Sequence, residues 1–294
     1  MGDPSRKSPA SILLMSYLDE QVAMLRRQGS RVREDEADAV HTMRIALRRL
    51  RAALASYRKL LDPDAVTHLR GELKWLAGAA GAARDAQVMH ERLTTLLAAQ
   101  PADLIVGPTT ERVGAKLEAD LVAGRRELID ALDSERHDRL LEALEALLAD
   151  PPLTPRASKP AHKVLPRRVA RAGKRLARAV DVALAVDGAE RDVALHEIRK
   201  CAKRLRYSAE VASPIRPKRA AKLAEDAHEL QRALGDHHDS VVARDLLLDL
   251  AAEARRRGES DLTYVRLHAL ELSRAATSEM HFLQTWQDMP KMSL

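Results

Sequence analysis

The sequence is poor in aromatic residues and in cysteine. Aromatic side chains make up only 2% of the 294 residues, so the hydrophobic core must consist mainly of Leu, Ala and Val. The single cysteine, Cys201, excludes an intramolecular disulfide framework and fits a reducing compartment. No apolar run approaches the roughly 20 residues that a membrane-spanning helix needs. We therefore expect a cytoplasmic protein without a membrane partner.

Helix-forming residues dominate the rest of the composition. Ala, Leu, Arg and Glu are abundant and strand-forming residues are few, which predicts an all-α protein. Lys and Arg number 49 against 43 Asp and Glu, for a formal net charge of +6 and a pI near 9.5. This balance suggests an acidic partner, but the two signs are interspersed. The positions of the charges are therefore more informative than their sum.

Residues 40–51 predict an amphipathic helix with two adjoining faces. At 100° per residue, an apolar stripe is formed by Met43, Leu47, Leu50, Leu54, Tyr57 and Leu61. A basic rail on a neighbouring arc, about 80° wide, is formed by His41, Arg44, Arg48 and Arg51. Arg49 points away from this rail. The segment contains no acidic residue, so its charge is not neutralised locally.

The same pattern recurs in the second half of the chain. His41 corresponds to His196 and Arg44 to Arg199, at a constant spacing of 155 residues. The shared form is H-x-x-R-x-x-x-[RK]-R-L-R, and its other basic pairs are Arg48 with Lys203, Arg49 with Arg204 and Arg51 with Arg206. A second repeated pattern, L-x-x-A-x-G-x-x-x-D, ends at Asp85 and at Asp239. Such a repeat predicts two structurally related halves.

The boundary between the halves is rich in proline. Residues 150–160 contain four prolines, so we assign 150–162 as a linker between a first half at 8–149 and a second half at 163–288. Each half is predicted to be a four-helix bundle, and a pseudo-twofold axis is predicted to relate the two. Asp85 and Asp239 are expected either to cap a helix or to hold an arginine in place.

Several helix ends follow from local signals. Gly29 and Ser30 predict that the first helix ends near Gln28, and the acidic run that begins at Glu34 predicts the start of the second. Glycines at 78 and 81 predict a kink or a break in the third helix. A fourth helical region is predicted at 111–149, with an interruption near residues 133 and 134.

Together these motifs resemble the CHAD family, the conserved-histidine α-helical domains. The resemblance covers about residues 8–288 and implies that the chain, 1–294, is a single CHAD domain. It implies two antiparallel four-helix bundles around a basic central cleft, binding of inorganic polyphosphate, and association with polyphosphate granules and their other proteins. By the motif match, the polyphosphate-binding positions are His41, Arg44, Arg48, Arg49, Arg51, His196, Arg199, Lys203, Arg204 and Arg206.

The predicted helix at 163–186 adds further candidates. One narrow face carries Arg167, Arg171, Lys174 and Arg178. We include Arg171 and Lys174 among the candidate polyphosphate-binding residues, although this face either lines the cleft or is simply solvated. Guanidinium groups suit a polyphosphate chain because their planar forks match phosphate oxygens and keep their charge.

Two other functions remain open at this stage. The basic rails also suit a nucleic-acid-binding protein, but single-strand binders usually supply aromatic stacking platforms, which are scarce here. A metal-dependent hydrolase of polyphosphate or triphosphate, or its accessory protein, would need convergent carboxylates. His237, His238 and Asp239 resemble a ligand cluster, but adjacent helical residues point about 100° apart. We expect no catalytic residues, no metal and no cofactor.

Overall fold

The structure is a computed structural model that describes residues 7–290 and 292–294, and this part of the chain forms nine α-helices and no β-strand. The predicted all-α class is confirmed. Before the linker lie α1 (Ala10–Arg33), α2 (Ala39–Ser56), α3 (Pro63–Ala98), α4 (Thr109–Leu132) and α5 (Glu135–Ala149). After it lie α6 (Ala161–Leu184), α7 (Gly188–Val211), α8 (Pro217–Arg256) and α9 (Leu262–Gln287). None of the described helices has the length and apolar character that crossing a membrane requires.

The first helix is longer than predicted. α1 continues past Gly29 and Ser30 to Arg33, so the predicted end near Gln28 was wrong. Glycine costs a helix only about 1 kcal/mol relative to alanine. The additional turn buries Val32, which is 1% exposed. Burial of a side chain of this size contributes about 1.5–3 kcal/mol, which is enough to extend the helix.

The second helix starts later than predicted. Asp35 and Asp38 have left-handed backbone conformations, with φ angles of 57° and 59°, and α2 begins only at Ala39. The acidic run that starts at Glu34 therefore lies in the connecting turn and not in the first helical turn. The apolar stripe nevertheless extends beyond the helix end, because Tyr57 is fully buried after α2 has ended.

The paired glycines do not break the third helix. α3 is continuous from Pro63 to Ala98, and its start is capped by the Asp62 carboxylate, which accepts a hydrogen bond from the Asp64 backbone N–H at 2.9 Å. Small residues allow α3 and α4 to pack closely against each other in this region. A Cβ atom at Gly124 of α4 would lie 3.0 Å from the Cα atom of Ala83 on α3.

The predicted fourth region consists of two helices. Ser134 separates α4 from α5, and its hydroxyl accepts a hydrogen bond from the His137 backbone N–H at 3.3 Å. The predicted interruption is therefore present, and the first half contains five helices instead of four. Ser134 is a favourable N-cap residue, which explains why the chain restarts as a new helix here.

The proline-rich linker is hydrogen-bonded to the first half. The Asp62 N–H donates to the Pro152 carbonyl at 2.7 Å, and the Thr154 N–H donates to the Leu60 carbonyl at 3.0 Å. The Ala10 N–H donates to the Lys159 carbonyl at 2.9 Å. These bonds fix the start of α6 beside the start of α1.

The two halves share one hydrophobic core. Leucines from α1–α5 and from α6–α8 form one continuous buried cluster. Helices at equivalent positions of the repeat contact each other, namely α1 with α6, α2 with α7 and α3 with α8. His41 lies on the second helix of its half and His196 on the second helix of the other half. The pseudo-twofold relation and the central cleft stay predictions.

A second apolar cluster joins the far ends of the long helices. It contains Leu93 of α3, Leu117 of α4, Leu247 of α8 and Leu267 of α9. Beside it the fully buried carboxylate of Glu271 accepts a hydrogen bond from the Arg92 Nε atom at 2.9 Å. α3 and α8 therefore join the two halves twice, through the shared core near their starts and through this second cluster near their far ends.

Candidate functional site

The two basic rails meet where α2 contacts α7. Leu47 and Leu50 of α2 and Leu205 of α7 are fully buried, so the neighbouring basic arcs of the two helices are directed toward each other. Four side chains from the two helices influence one another electrostatically and form what we term the central cationic cluster. Its members are Arg44, Arg48, Arg199 and Lys203.

Mutual repulsion in this cluster is visible in the pKa values. Burial, and then the charges of Arg199, Arg48 and Arg44, lower the pKa of Lys203 to about 6. Burial holds the pKa values of Arg48 and Arg199 below their ordinary range, although Tyr207 raises the pKa of Arg48 and Asp239 raises that of Arg199. The charge of Arg44 acts in the same direction as burial on both arginines. The arginines still remain charged at neutral pH, because a guanidinium does not lose its proton in proteins. The cluster is therefore a concentrated and poorly compensated positive charge.

Each half supplies one aspartate beside its arginine. The Arg44 Nη1 atom lies 2.5 Å from the Asp85 Oδ1 atom. In the second half, Asp239 favours the charged form of Arg199, and burial raises the pKa of the Asp239 carboxyl. The two predicted roles for these aspartates were to cap a helix or to hold an arginine in place. Asp85 has the second role. Because Asp85 is 67% exposed, the pair lies at the solvent edge of the cluster.

The repeated histidines lie beside the cluster and are held neutral. Burial, and then the charges of Arg84 and Arg48, lower the pKa of His41. Burial, and then His238, lower the pKa of His196 to about 4. The His196 and His238 rings lie 4.5 Å apart between centroids. Arg84 and His238 occupy equivalent positions of the repeat, so each repeated histidine faces the corresponding residue of α3 or α8.

Gly235 provides space for a cluster arginine. A Cβ atom at this position would lie 3.4 Å from the Arg199 Nη2 atom, so the guanidinium passes over the glycine. No neighbouring atom comes within 4 Å of a Cβ atom at the equivalent Gly81. Among the described residues, the buried Nε atoms of Arg48 and Arg199 have no hydrogen-bond partner, and both remain available as donors.

Arg49 and Arg206 have a shared carboxylate partner. The Arg49 Nε atom lies 2.9 Å from the Glu210 Oε2 atom, and the Arg206 Nε atom lies 3.0 Å from the Glu210 Oε1 atom. The Tyr17 hydroxyl also donates a hydrogen bond to Glu210 at 2.8 Å. The structure thus places Arg49 in a contact between α1, α2 and α7, whereas Arg206 also influences Arg48 at the edge of the cluster.

The remaining candidates lie outside the cluster. Burial, and then the charge of Arg70, lower the pKa of Arg51, which is partly buried. Arg204 is exposed on the other side of α7, and together with Arg171 it lines a separate basic pocket. Lys174 is exposed on α6 and does not line that pocket. The helix at 161–184 therefore contributes to a second basic surface and not to the central cluster.

The adjacent histidines of α8 point to different neighbours. The His237 Nε2 atom lies 3.3 Å from the Asp192 Oδ1 atom, whereas His238 contacts His196. In the described part of the chain, no three side chains of His, Cys, Asp or Glu are grouped so that they could hold a metal ion. The donor set therefore offers no candidate metal centre there.

The sequence alone did not identify three features of this region. Glu210 is a single residue without a counterpart in the first half, so the repeat gave no signal for it. His238 was overlooked as a site residue because the first half has Arg84 at that position. The proximity of Gly235 to Arg199 depends on the packing of α8 against α7, so it is found only in three dimensions.

Comparison with known proteins identifies related sequences. The sequence model of the CHAD domain matches residues 16–248. Two uncharacterized proteins, from two strains of Mycobacterium tuberculosis, are each 34% identical to this chain over 271 residues, which is 91% of the chain. The chain spans about half the length of these curated relatives, 51% in each case.

Two solved structures share the fold. PptA from Streptomyces chartreusis superposes with a TM-score of 0.79 at 24% identity, covering 95% of this chain and all of that one. The CHAD domain from the plant Ricinus communis superposes with a TM-score of 0.76 at 23% identity, covering 99% of this chain and 95% of that domain. At these identities the likeness concerns the fold alone.

Proposed function

The chain belongs to the CHAD domain family, and from this premise we propose that it binds inorganic polyphosphate without cleaving it. The observation that carries the proposal is the central cationic cluster. Two helices from different halves bring Arg44, Arg48, Arg199 and Lys203 so close that burial and repulsion lower the pKa of Lys203 to about 6. In the free protein this arrangement is unfavourable, so a bound polyanion would stabilise it.

Polyphosphate suits the cluster in shape and charge. Its internal phosphates each carry about one negative charge and two free oxygens, and guanidinium forks bind such oxygens in pairs. The basic rails present a cation about every 5 Å along a helix, which is compatible with an extended chain of phosphates. Since the rails of α2 and α7 meet, a chain longer than one rail would contact both halves.

Binding without catalysis is part of the proposal. Metal-assisted hydrolysis of a phosphoanhydride needs convergent ligands for a metal ion. The acidic groups nearest the cluster, Asp85 and Asp239, are each associated with an arginine. We assign both aspartates the role of favouring charged arginines, and not the role of metal ligands. Binding of this kind would bring the protein to cytoplasmic polyphosphate granules, and so close to other granule proteins.

Nucleic acid is the weaker candidate ligand. Single-stranded nucleic acids are usually held by stacking of bases on aromatic rings. The aromatic residue beside the cluster is Tyr207, which is only 2% exposed and cannot offer its ring face to a base. Polyphosphate has no bases and needs no aromatic ring for stacking, so the geometry favours it over nucleic acid.

A competition experiment tests the proposed function. Labelled long-chain polyphosphate is bound at physiological salt and displaced by unlabelled polyphosphate or by mixed-sequence DNA, with and without magnesium. We expect polyphosphate to displace the label at least tenfold more effectively, with no release of orthophosphate. Equal displacement by DNA would contradict the proposal, and orthophosphate release would contradict its non-catalytic part.

The matched variants separate specific binding from net charge. The cluster variant carries Arg44→Gln, Arg48→Gln, Arg199→Gln and Lys203→Met. The control variant removes the same number of basic side chains from exposed helical ion pairs through Arg126→Gln, Arg139→Gln, Arg232→Gln and Arg256→Gln. We expect only the cluster variant to lose at least tenfold in polyphosphate affinity. Equal losses in both variants would show that the cluster is not the site.

A further inference from the structure

A second basic pocket lies on the opposite side of α7 from the central cluster. It is bounded by the C-terminal end of α2, by α3, by α6 and by α7, and we term it the α6 pocket. Its cationic lining consists of Arg58, Lys59, Arg70, Arg168, Arg171, Arg175 and Arg204. These are seven cations, and none of the described carboxylates lines the pocket. The pocket shares no residue with the central cationic cluster.

The helix geometry explains why the two sites are separate. Lys203 and Arg204 are neighbours in sequence, and successive residues on a helix point about 100° apart. Lys203 therefore faces the central cluster, while Arg204 faces α6. Cys201 and Ser208 of α7 line the same side of the pocket as Arg204. One helix thus supplies cations to two different surfaces.

Most of the cations in the α6 pocket lack an acidic partner. Within the described residues, no carboxylate lies within ion-pair distance of six of the seven, and Arg204 has only Glu197 at 3.8 Å. Other arginines on the surface of this protein are paired closely, such as Arg136 with Glu72 at 2.6 Å. A concave surface of unpaired guanidinium groups favours an anion from solution.

The surface that the repeat relates to the α6 pocket, between α1, α2 and the end of α7, is neutralised. There Glu210 lies close to Arg49 and accepts a hydrogen bond from Tyr17. At the repeat spacing, Glu210 corresponds to Ala55, which lines the α6 pocket. Tyr17 corresponds to Arg168, since each lies seven residues after the first residue of its helix. At the α6 pocket, a methyl group and a guanidinium therefore replace the carboxylate and the phenol of the related surface.

Repulsion within the pocket supports the same conclusion. Burial, and then the charge of Arg171, lower the pKa of Arg168 below its ordinary value. Arg156 and Arg58 act in the same direction. The Arg168 guanidinium is partly buried, so its charge is less well solvated than that of a fully exposed arginine.

The size of the pocket limits its occupant. Its volume is about 220 Å³, below the roughly 300–1,000 Å³ typical of sites for drug-sized ligands. A depression of this size suits a few linked phosphates better than a drug-sized ligand. The high density of guanidinium groups favours an anion with several charges in a small volume.

We propose that the α6 pocket is a second binding site, for a compact oligophosphate of about three phosphate units, which seven convergent cations would hold. The unit is either a free oligophosphate or a segment of a longer polyphosphate chain. The site does not depend on the central cluster, because the two share no cation. It therefore stands or falls separately from the proposed function.

The test is calorimetric titration of the full chain with sodium tripolyphosphate. The pocket variant carries Arg168→Gln, Arg171→Gln and Arg175→Gln. The control variant carries Arg167→Gln, Lys174→Gln and Arg178→Gln, which remove the same charge from exposed positions of the same helix outside the pocket. We expect one binding event to lose at least tenfold in affinity in the pocket variant and to change less than twofold in the control.

Two further measurements keep the result decisive. A reduced variant of the central cluster, with only Arg44→Gln and Lys203→Met, should retain the event that the pocket variant loses, even if the central cluster binds nothing. If Arg168→Gln impairs folding, the double variant with Arg171→Gln and Arg175→Gln provides the same comparison. Equal affinity in the pocket and control variants, or equally strong competition by sulfate, would overturn the proposal.

Long-chain polyphosphate distinguishes the two sources of the phosphate unit. If the α6 pocket holds a segment of a long chain, the pocket variant should also bind long chains more weakly, by at least threefold. If the pocket takes only free oligophosphates, the affinity for long chains should be unchanged. Either result is compatible with the site itself, whose existence is decided by the tripolyphosphate titration.

Discussion

Arg44 of α2 and Asp85 of α3 form an ion pair 2.5 Å long at the solvent edge of the central cationic cluster. In the second half, Asp239 favours the charged form of Arg199 electrostatically. Asp85 thus restrains Arg44 without neutralising the cluster as a whole. A site arranged in this way has its cations in position before a ligand arrives, which reduces the entropic cost of binding.

The first prediction concerns Arg49, which has a carboxylate partner outside the cluster. Arg49→Gln should lower the free energy of unfolding by about 1–3 kcal/mol, because Glu210 would lose one of its cationic partners in a largely buried contact. Polyphosphate affinity should change less than twofold. Urea unfolding and polyphosphate titration of the same variant provide the two values. A large loss of affinity with unchanged stability would assign Arg49 to the binding site instead.

The second prediction concerns Lys203, whose pKa is lowered to about 6. The unfolded chain binds more protons at this lysine than the folded protein at any pH between about 6 and the ordinary lysine value. Stability contributed through Lys203 therefore rises with pH across that interval and is lowest at or below pH 6. Lys203→Met should remove this dependence and raise the midpoint of thermal unfolding more at pH 6 than at pH 8.5.

The same substitution should weaken polyphosphate binding at least threefold, since it removes an amine that a bound phosphate chain would convert into a further cation of the cluster. A variant that gains thermal stability and loses polyphosphate affinity would show that the cluster is retained for binding and not for stability. The exposed Lys200→Met provides the control, with small changes in both quantities. A Lys203→Met protein that is less stable at pH 6 than the wild type would contradict the sign derived from its pKa.

The third prediction concerns the histidines, which are neutral in the free protein. Burial and neighbouring cations lower the pKa values of His41 and His196, the latter to about 4. A bound phosphate chain reverses the local charge, so His41, His196 and Lys203 should each bind protons more readily in the complex. Binding should therefore take up protons and become tighter as the pH falls from about 7.5 to 5.5.

Calorimetry of long-chain polyphosphate binding at pH 6.5, in two buffers of different ionisation enthalpy, measures this uptake. The charged groups that face the two histidines are Arg84, Arg48, Arg44, Asp38, Lys200, Arg199 and Lys203, together with His238. The double variant with His41→Gln and His196→Gln should take up fewer protons than the wild type. Equal uptake in the two proteins would mean that the histidines only pack beside the cluster.

The fourth prediction concerns salt. If about eight cations contact the chain, the logarithm of the affinity should fall with the logarithm of the salt concentration with a slope on the order of −5. The cluster variant should show a shallower slope with an unchanged helical signal in circular dichroism. The exposed ion-pair control should keep the slope of the wild type. A cluster variant with the wild-type slope would place the contacting cations elsewhere.

The sequence was sufficient for the fold class and for the rails because both depend on local periodicity. The positions of His41, Arg44 and Arg48 on one arc follow from helix geometry alone, and the repeat pointed to their partners on α7. The end of α1 was misjudged because the burial of Val32, a tertiary effect, outweighs the weak helix propensity of Gly29. Local signals could not reveal this contact.

The division of the basic residues between two surfaces also required the structure. Arg49 and Arg204 match in the motif, yet Arg49 is paired with Glu210 and Arg204 lines an acid-free pocket. The difference depends on Glu210 and on its counterpart Ala55, which both lie outside the motif and belong to different surfaces of the structure. Equivalent positions in a repeat therefore need not have equivalent electrostatic surroundings.

The most direct test of the central claim is a crystal structure of the protein soaked with a short linear polyphosphate. The account predicts phosphate oxygens within about 3 Å of the guanidinium groups of Arg44, Arg48 and Arg199 and of the Lys203 amine. Phosphate density confined to other surfaces, with the central cationic cluster still occupied only by solvent, would contradict it.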